Sequence, residues 1–415
     1  MTSPGAGAGH TSLTPGYAWL VVISSAGAVA VGQGFSRFSY GLLLPAMVRD
    51  LIGSYSLAGT FGTINLGAYL IGMLTVSLVS SRIQPVRLIL GGLVGTLSGM
   101  VLLGFAQGLT MLFVGMTVMG LFAAGIWVPT TALVGSVMPA RMRGLALGAV
   151  VAGPGLSVVG AGQLATLVRS VVDEEAWREV WLLQFAIGLA VLAAVTVVLR
   201  RVPDVHIEPG TFALRILRRM PRWWAATVAY AGFGLAYMIF ITYLVAALET
   251  DAGFSGSAAS LMYSLVGATS IVGGLILGRF SDRLGRKRSL IMVFTLAAAA
   301  SVGVINGTQP VVGLSAVAFG LAMTGTGAVM AALIGDHLTG GSVGAAFGML
   351  TAVFSVMQGL APQLGGWLAD QTGSFTSSFL VAGAAFVVAA VFAMLLPSDH
   401  AGTRRGSHLD VGSGT

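Results

Sequence analysis

The sequence predicts an all-α integral membrane protein with twelve transmembrane helices. Of its 415 residues, 56% are hydrophobic and only 8% are charged, and the mean hydropathy is +0.91, whereas soluble domains carry about 25% charged residues. Twelve separate apolar segments are each long enough to cross the hydrocarbon core, which takes about 20 helical residues. Basic residues gather in alternate short loops between these segments, as expected for a chain that crosses a membrane repeatedly.

The predicted spans divide into two groups of six around a polar segment at residues 201–221, which we predict to be a cytoplasmic linker. Two six-helix bundles are therefore predicted over residues 17–200 and 222–397. The flanking residues 1–16 and 398–415 are short polar stretches, predicted to be disordered cytoplasmic tails. The individual spans cover residues 17–47, 54–81, 85–107, 109–137, 142–169, 177–200, 222–248, 256–280, 287–306, 310–335, 341–369 and 375–397.

The distribution of arginine and lysine predicts the orientation in the membrane. If both termini are cytoplasmic, 17 of the 21 basic residues lie on the cytoplasmic side, as the positive-inside rule requires. The basic residues behind the formal net charge of +7 are then explained by the membrane topology, and we predict no nucleic-acid partner. We expect a multi-pass protein of the cytoplasmic (inner) membrane, in contact with the lipid bilayer. The four remaining basic residues are Arg37, Arg49, Arg169 and Arg178.

The composition also argues against several classes of chemistry. No cysteine is present, which excludes disulfides, thiol catalysis and thiolate metal sites. The predicted spans contain no pair of nucleophile and base and no cluster of metal-ligating residues, and the chain has no nucleotide-binding P-loop. We therefore predict neither an enzyme nor a pump driven directly by ATP, and we predict no cofactor and no metal.

A repeat at an offset of 200 residues relates the two groups of spans. The stretch GQGFSRFSYGLLLP from Gly32 aligns with GFGLAYMIFITYLV from Gly232, which pairs Arg37 with Tyr237. Because each half contains six spans, the halves share one orientation and form parallel repeats related by an axis along the membrane normal. Such repeats are typical of transporters that bind a substrate at the bilayer midplane, between the halves. That interface lies within one chain, so a monomer suffices.

One cytoplasmic loop carries a recognisable motif. The stretch GRFSDRLGRKRSL, residues 278–290 between the eighth and ninth spans, resembles the signature loop of the major facilitator superfamily of transporters. The resemblance implies the fold of that superfamily, two pseudo-symmetric six-helix bundles, and alternating access by a rocker-switch motion. It also implies a charged conformational latch, with two glycines that allow close approach of the helices. The alternative is that the loop has no latch function and its basic residues only fix the topology. The latch residues implied are Gly278, Asp282, Arg283, Gly285, Arg286 and Lys287.

The first half departs from this pattern. Ser81 stands opposite Asp282, Gln84 stands opposite Gly285, and Met116 occupies a position where the family usually carries an arginine. We therefore expect no equivalent latch there. The stretches around Gly32 and Gly232, together with APQLGGWLADQTGSF in the eleventh span, resemble the YbfB/YjiJ-type branch of bacterial facilitators.

Arg37 lies within the first predicted span. A charge inside the hydrocarbon costs at least about 2.5–3.5 kcal/mol and usually faces a cavity or a pathway. Gln33, Arg37 and Tyr40 share one helical face, and none of the 14 acidic residues falls in the middle of a span. Because a guanidinium binds carboxylates in a bidentate manner, we predict that the missing negative charge belongs to the substrate, an organic anion and specifically a carboxylate.

Three other roles for Arg37 remain open at this stage. Its side chain can extend to the outer surface, donate to carbonyl groups near Gly32 and Gly34, or pair with Asp50. Further polar or aromatic side chains at midplane depth are candidates for the same site, although each can equally serve helix packing. With Arg37, the predicted site comprises Gln33, Tyr40, Asn65, Trp127, Gln163, Tyr237, Ser355 and Gln358.

The predicted function is secondary active or facilitative transport of a small organic anion. No Asp, Glu or His lies in the middle of a span, which argues against a buried proton relay and leaves uniport, anion exchange, or co-transport in which the substrate and Arg37 share the proton's role. The alternative is efflux of drugs or cationic compounds by proton antiport, although a cation beside an unpaired arginine is electrostatically unfavourable. A receptor that binds without translocating is a further reading, disfavoured by the short tails.

Overall fold

The computed structural model describes residues 14–202, 214–339 and 341–397, and no strand occurs within these ranges. Among these residues, twelve helices are long and apolar enough to cross a membrane, which confirms the predicted number. They form two pseudo-symmetric bundles, α1–α6 and α7–α12. The spans are Pro15–Ile52 (α1), Tyr55–Val79 (α2), Pro85–Gly104 (α3), Leu109–Val137 (α4), Arg141–Val171 (α5), Trp177–Leu199 (α6), Trp223–Thr250 (α7), Gly256–Leu284 (α8), Arg286–Asn306 (α9), Gln309–His337 (α10), Gly341–Thr372 (α11) and Thr376–Met394 (α12).

Successive helices run antiparallel, so α1 begins and α12 ends at the same face of the molecule. We name this the terminal face and the opposite one the distal face. Nearly all of the predicted tails and residues 203–213 of the predicted linker lie outside the described residues. The described part of the linker contains a short helix, Leu214–Leu217.

Local sequence signals explain where the helices begin and end. Prolines stand in the first turns of α1 and α3, where a missing amide hydrogen costs nothing. The hydroxyl of Ser54 accepts a hydrogen bond from the Leu57 amide at the start of α2, and Ser255 caps α8 in the same way. At the end of α1, Gly53 adopts a φ of +83°, a conformation that favours glycine.

Helix α1 differs from its prediction in length and in internal form. It continues to Ile52, five residues beyond the predicted end, and it contains two π-helical segments, Ala30–Phe35 and Val48–Ile52. Each π segment inserts extra residues into a turn and rotates the side chains that follow. Directly after the first segment, the Ser36 hydroxyl donates back to the Gly32 carbonyl oxygen at 2.5 Å. The periodicity of the sequence did not indicate these segments.

The two bundles pack closely in the distal half of the molecule. A Cβ atom on Gly41 of α1 would lie 2.8 Å from the Ile241 carbonyl oxygen of α7, and one on Gly62 of α2 would lie 2.9 Å from Cβ of Pro362 in α11. At the third contact, between α5 and α8, a Cβ on Gly267 would lie 2.7 Å from the Val159 nitrogen. Glycine therefore permits the backbones of opposite bundles to touch at all three seams.

Polar contacts also seal the distal face. The carboxylate of Asp370, at the end of α11, accepts hydrogen bonds from the backbone amides of Tyr55 and Ser56 at the start of α2, at 3.0 and 2.7 Å. Nearby, the Thr60 hydroxyl donates to the Gln363 side chain at 2.6 Å. In the part of the chain that the structure describes, the hydrogen bonds and ion pairs between bundles lie at the depth of Arg37 or closer to the distal face. The bundles are thus closed distally.

Candidate functional site

Arg37 lies at the seam between the bundles. Its Nη2 atom donates to Oε1 of Gln358 on α11 at 2.6 Å, and its Nη1 atom donates to Oε1 of Gln33 at 3.5 Å. The guanidinium carbon lies 4.9 Å from the centre of the Tyr69 ring, a cation–π distance. Arg37 remains partly exposed, and the seam between it and the distal face is closed by the contacts described above.

The charge of Arg37 is not neutralised within the described residues. Its partners are amide oxygens and an aromatic face, and none of the described ion pairs includes it. Its Nε–H group is buried and has no hydrogen-bond acceptor among the described residues. A buried charged donor without a partner is costly. The site therefore favours an anion that can accept from this guanidinium.

The other roles considered for Arg37 do not match its contacts. Asp50 is occupied by Arg178, whose Nη1 atom lies 2.6 Å from its carboxylate, and by the indole nitrogen of Trp177 at 3.0 Å. The carbonyl oxygen of Gly32 accepts from Ser36 instead. The side chain of Arg37 points between the bundles rather than along α1 to a membrane surface. Pairing with Asp50 is therefore wrong.

The aromatic side chains beside Arg37 form one continuous group. Tyr237, the repeat-related partner of Arg37, stacks on Phe233 of the same helix with ring centres 5.6 Å apart. Phe354 of α11 lies 4.6, 5.9 and 6.2 Å from Tyr230, Phe233 and Tyr237, with interplanar angles of 20°, 21° and 30°. We call these four residues, Tyr230, Phe233, Tyr237 and Phe354, the aromatic bank. Across the seam, Phe38 meets Tyr237 edge to face at 6.5 Å.

The remaining predicted site residues are distributed between the seam and helix contacts. Tyr40 donates to the Ala58 carbonyl oxygen at 2.6 Å, and Asn65 donates to that of Met116 at 3.0 Å, so both side chains are engaged in packing within the first bundle. Gln163 reaches across the seam to the Ser264 hydroxyl at 3.2 Å. Trp127 and Ser355 are partly exposed on α4 and α11. Their roles in binding stay predictions.

Two features of the site were not expected from the sequence. Tyr69 is not among the predicted site residues, yet the face of its ring lies against Arg37. Phe354 was not considered, although it precedes Gln358 by four residues, the spacing that places two side chains on one helical face. That spacing is informative only once Gln358 is known to meet Arg37.

Two ion pairs in the second bundle connect residues of the predicted latch. Arg286, at the start of α9, lies 2.5 Å from the Asp282 carboxylate of α8 and 3.0 Å from that of Asp336 at the end of α10. Asp336 was not among the predicted latch residues. Gly285 adopts a φ of +93° between α8 and α9, which a side chain would strain.

Other latch residues play smaller parts in this conformation. A Cβ atom on Gly278 would meet nothing within 4 Å, so the expected close helix approach at Gly278 is wrong here. Arg283 is exposed, and Lys287 is partly buried. The ring of contacts joins three helices of one bundle at the terminal face.

A group of ion pairs bridges the bundles at the distal face, and we call it the distal cluster: Arg49, Arg169, Glu175 and Glu249. Glu249 of α7 accepts from Arg169 of α5 at 3.1 Å and from Arg49 of α1 at 3.2 Å. The side chains of Arg169 and Glu249 are only 4% and 9% exposed, and Arg169 also donates to the Ser260 hydroxyl at 3.2 Å. Glu249 lies one residue beyond the predicted end of the seventh span, and its burial was not predicted from the sequence.

Comparisons with known proteins agree with this architecture. The profile of a family described as "Uncharacterised MFS-type transporter YbfB" matches residues 29–394. Monocarboxylate transporter 13 of Bos taurus is 28% identical over 396 residues, covering 92% of this chain and 90% of that protein. A probable sulfoacetate transporter, SauU, of Cupriavidus necator is 25% identical over 329 residues, covering 71% and 74%.

The fold is also similar to that of a solved transporter. A crystal structure of a bacterial homologue of the human lysosomal transporter Spinster, in an inward-facing and unoccupied conformation, superposes with a TM-score of 0.69. The two chains are 15% identical, and the match covers 92% of this chain and 97% of that one. At this identity the likeness concerns the fold alone.

Proposed function

The chain belongs to the YbfB-type family of major facilitator transporters, and we propose that it moves a small organic carboxylate across the cytoplasmic membrane. The substrate binds Arg37 between the two bundles. Gln33, Gln358 and the ring of Tyr69 form the nearest surroundings of the guanidinium. The transporter works as a monomer, because both sides of the site come from one chain.

The observation that carries this proposal is the uncompensated charge of Arg37. An arginine at mid-depth whose partners are amide oxygens retains its positive charge, and its buried Nε–H has no acceptor among the described residues. A carboxylate can take two parallel hydrogen bonds from such a group and cancel the charge. A lipophilic cation would be repelled at the same place, so efflux of cationic compounds is the weaker reading.

The names of the relatives support an anionic substrate. One is named a monocarboxylate transporter and another a probable sulfoacetate transporter. Both names describe transport of small organic acids by chains that align with most of this one. The substrates in those names belong to those proteins, and they carry the same negative charge as the ligand that Arg37 favours.

The transport cycle follows from the closed distal face. In the observed state the distal cluster holds the bundles together, and we propose that Arg37 is reached from the terminal face. The arginine-rich loops support a cytoplasmic location for that face. A rocking motion that separates Arg49 and Arg169 from Glu249 would open the opposite side. Carboxylate binding at Arg37 lowers the cost of burying this charge as the bundles close around it.

Thermal unfolding of the purified protein tests the proposal. A ligand that binds only the folded state stabilises it by mass action, so small carboxylates should raise the Tm of the wild type. Arg37→Gln should abolish that shift. Arg82→Gln removes the same charge from an exposed loop position and should leave the shift unchanged. If lipophilic cations stabilise the wild type and Arg37→Gln equally while carboxylates do not, the proposal is wrong.

A further inference from the structure

We infer that the carboxylate taken at Arg37 belongs to a monoanion with a planar, apolar skeleton, such as an aromatic acid, whose ring lies against Phe354. This inference rests on the proposed function and specifies its substrate class. Three observations carry it: the position of Phe354, the orientation of the aromatic bank, and the number of charges around the site.

The position of Phe354 follows from its spacing on α11. Phe354 and Gln358 are four residues apart and therefore share a helical face, and Gln358 meets Arg37 of the opposite bundle at 2.6 Å. Since α11 runs from the terminal to the distal face, Phe354 lies one turn closer to the open side than Gln358. It is partly exposed, whereas Tyr230, Phe233 and Tyr237 behind it are at most 6% exposed. Phe354 is thus the ring of the bank that a ligand on Arg37 can reach.

The rings of the bank are nearly parallel. Phe354 is tilted by only 20° to 30° from Tyr230, Phe233 and Tyr237, and Phe354 is held from behind by the close approach of Gly234, where a Cβ would lie 2.7 Å from the Phe354 carbonyl oxygen. A planar ligand can extend such a stack with its own ring, in an offset arrangement that aromatic pairs prefer. A saturated ring of the same size cannot bring its atoms into the same face-to-face contact.

The charges around the site favour a ligand with one negative charge. Arg37 is the one cation at this depth in the described part of the chain, and the other basic residues lie near the ends of the spans. A ligand whose carboxylate binds Arg37 and whose skeleton lies on Phe354 would direct a second carboxylate along the aromatic bank. A charge there would lie against aromatic rings, with no cationic partner among the described residues, and moving it out of bulk water costs free energy. Dianions of the same shape are therefore disfavoured.

The test compares three acids that differ in one property each. Benzoate is a planar monoanion, cyclohexanecarboxylate has the same carbon count but is not planar, and terephthalate is a planar dianion. For the purified wild type we expect benzoate to bind with a Kd about three- to tenfold lower than that of cyclohexanecarboxylate, which is the range of one aromatic stacking contact. Terephthalate should bind more weakly than benzoate by a similar factor or more.

Variants of Phe354 connect the preference to this ring. Phe354→Leu keeps apolar bulk but removes the ring, and it should bring the Kd values of benzoate and cyclohexanecarboxylate to within about twofold. Phe354→Tyr keeps the ring and should retain the preference. Phe113→Leu makes the same exchange at an exposed position of α4 and serves as the control.

Failure of this inference differs from failure of the proposed function. If the wild type binds cyclohexanecarboxylate or terephthalate as tightly as benzoate, the inference is overturned while carboxylate transport stands. The same holds if Phe354→Leu folds and keeps the full preference. If none of the three acids binds, the inference is overturned, and the screen of other small carboxylates decides the proposed function. If Arg37→Gln binds the acids as well as the wild type, both are overturned. If Phe354→Leu does not fold, the order of the three Kd values measured for the wild type still tests the inference.

Discussion

Nη2 of Arg37 lies 2.6 Å from Oε1 of Gln358, and this hydrogen bond joins the two bundles at the centre of the molecule. The amide oxygen occupies one of the positions that a carboxylate oxygen would take on the guanidinium. Gln358 therefore holds Arg37 in place without cancelling its charge. An incoming anion can replace this contact or add to it through the buried Nε–H group.

Replacing this amide by a carboxylate should disable binding. Gln358→Glu places a permanent counter-ion beside Arg37 at a position that is only 2% exposed, where charged hydrogen bonds are strong. We expect carboxylate affinity to fall at least about tenfold while Tm in the absence of ligand does not fall. Gln363→Glu makes the same change five residues along α11 and is the control. Titration of both variants with the best carboxylate measures the effect, and an unchanged Kd in Gln358→Glu would refute this role of the Arg37 charge.

Breaking the distal cluster should favour opening of the distal face. Glu249→Gln removes two ion pairs between the bundles, and loss of one partner from a buried pair costs about 3–5 kcal/mol in the state where the other stays buried. Because the chain contains no cysteine, Ser264→Cys supplies a single label at the α5–α8 seam. We expect a membrane-impermeant maleimide to react at least about tenfold faster in the Glu249→Gln background.

The matched control for that measurement is Glu179→Gln, which alters an exposed acid at the same face. It should leave the labelling rate of Ser264→Cys unchanged. Equal rates in all three backgrounds would mean that the distal cluster does not hold the bundles closed.

Locking the α2–α11 seam should stop transport. Thr60 and Gln363 contact each other across the bundles at 2.6 Å, so a pair of cysteines at these positions can be joined by a short bifunctional thiol reagent with a cleavable disulfide. Cross-linked protein should show no flux in liposomes, because the distal face cannot open. Flux should return after reduction, and each single-cysteine variant should be unaffected. Full activity of the cross-linked form would exclude opening at this seam.

Loss of the latch arginine should have a larger effect than loss of its neighbour. Arg286→Gln leaves both Asp282 and Asp336 without their shared partner, and partly exposed ion pairs contribute about 1 kcal/mol or less each. We expect a drop in Tm of about 2 °C or more, with a slower transport rate. Lys287→Gln, the adjacent residue, should change neither quantity. If the two variants have the same Tm and the same transport rate, the latch is wrong and the basic loop only fixes the topology.

Much of the architecture was predictable because hydropathy and charge placement act over whole segments. Twelve spans and the bundle repeat follow from apolar length and from the alignment of Gly32 with Gly232. The neighbourhood of Arg37 was predictable in part, since Gln33 shares its helix and Tyr237 its repeat position. Gln358 was one of several isolated polar groups, and nothing local distinguished its contact with Arg37 from the packing contact of Asn65.

Other features depend on packing between distant segments and leave no local pattern. The π segment at Ala30–Phe35 is accommodated by glycines that also serve helix contacts. Burial of Glu249 results from two arginines that approach it from α1 and α5. Asp336 joins the latch because α10 ends beside α9, although 50 residues separate it from Arg286 along the chain.

The most direct measurement is counterflow of a radiolabelled carboxylate in liposomes that contain wild type, Arg37→Gln, Arg37→Lys or Arg82→Gln. The account predicts that wild type and Arg82→Gln accumulate the label against unlabelled internal substrate. Arg37→Lys, which keeps the charge but not the planar donor geometry, should be impaired, and Arg37→Gln should be inactive while remaining folded. Counterflow by folded Arg37→Gln at the wild-type rate would contradict the assignment of Arg37 as the substrate's binding group.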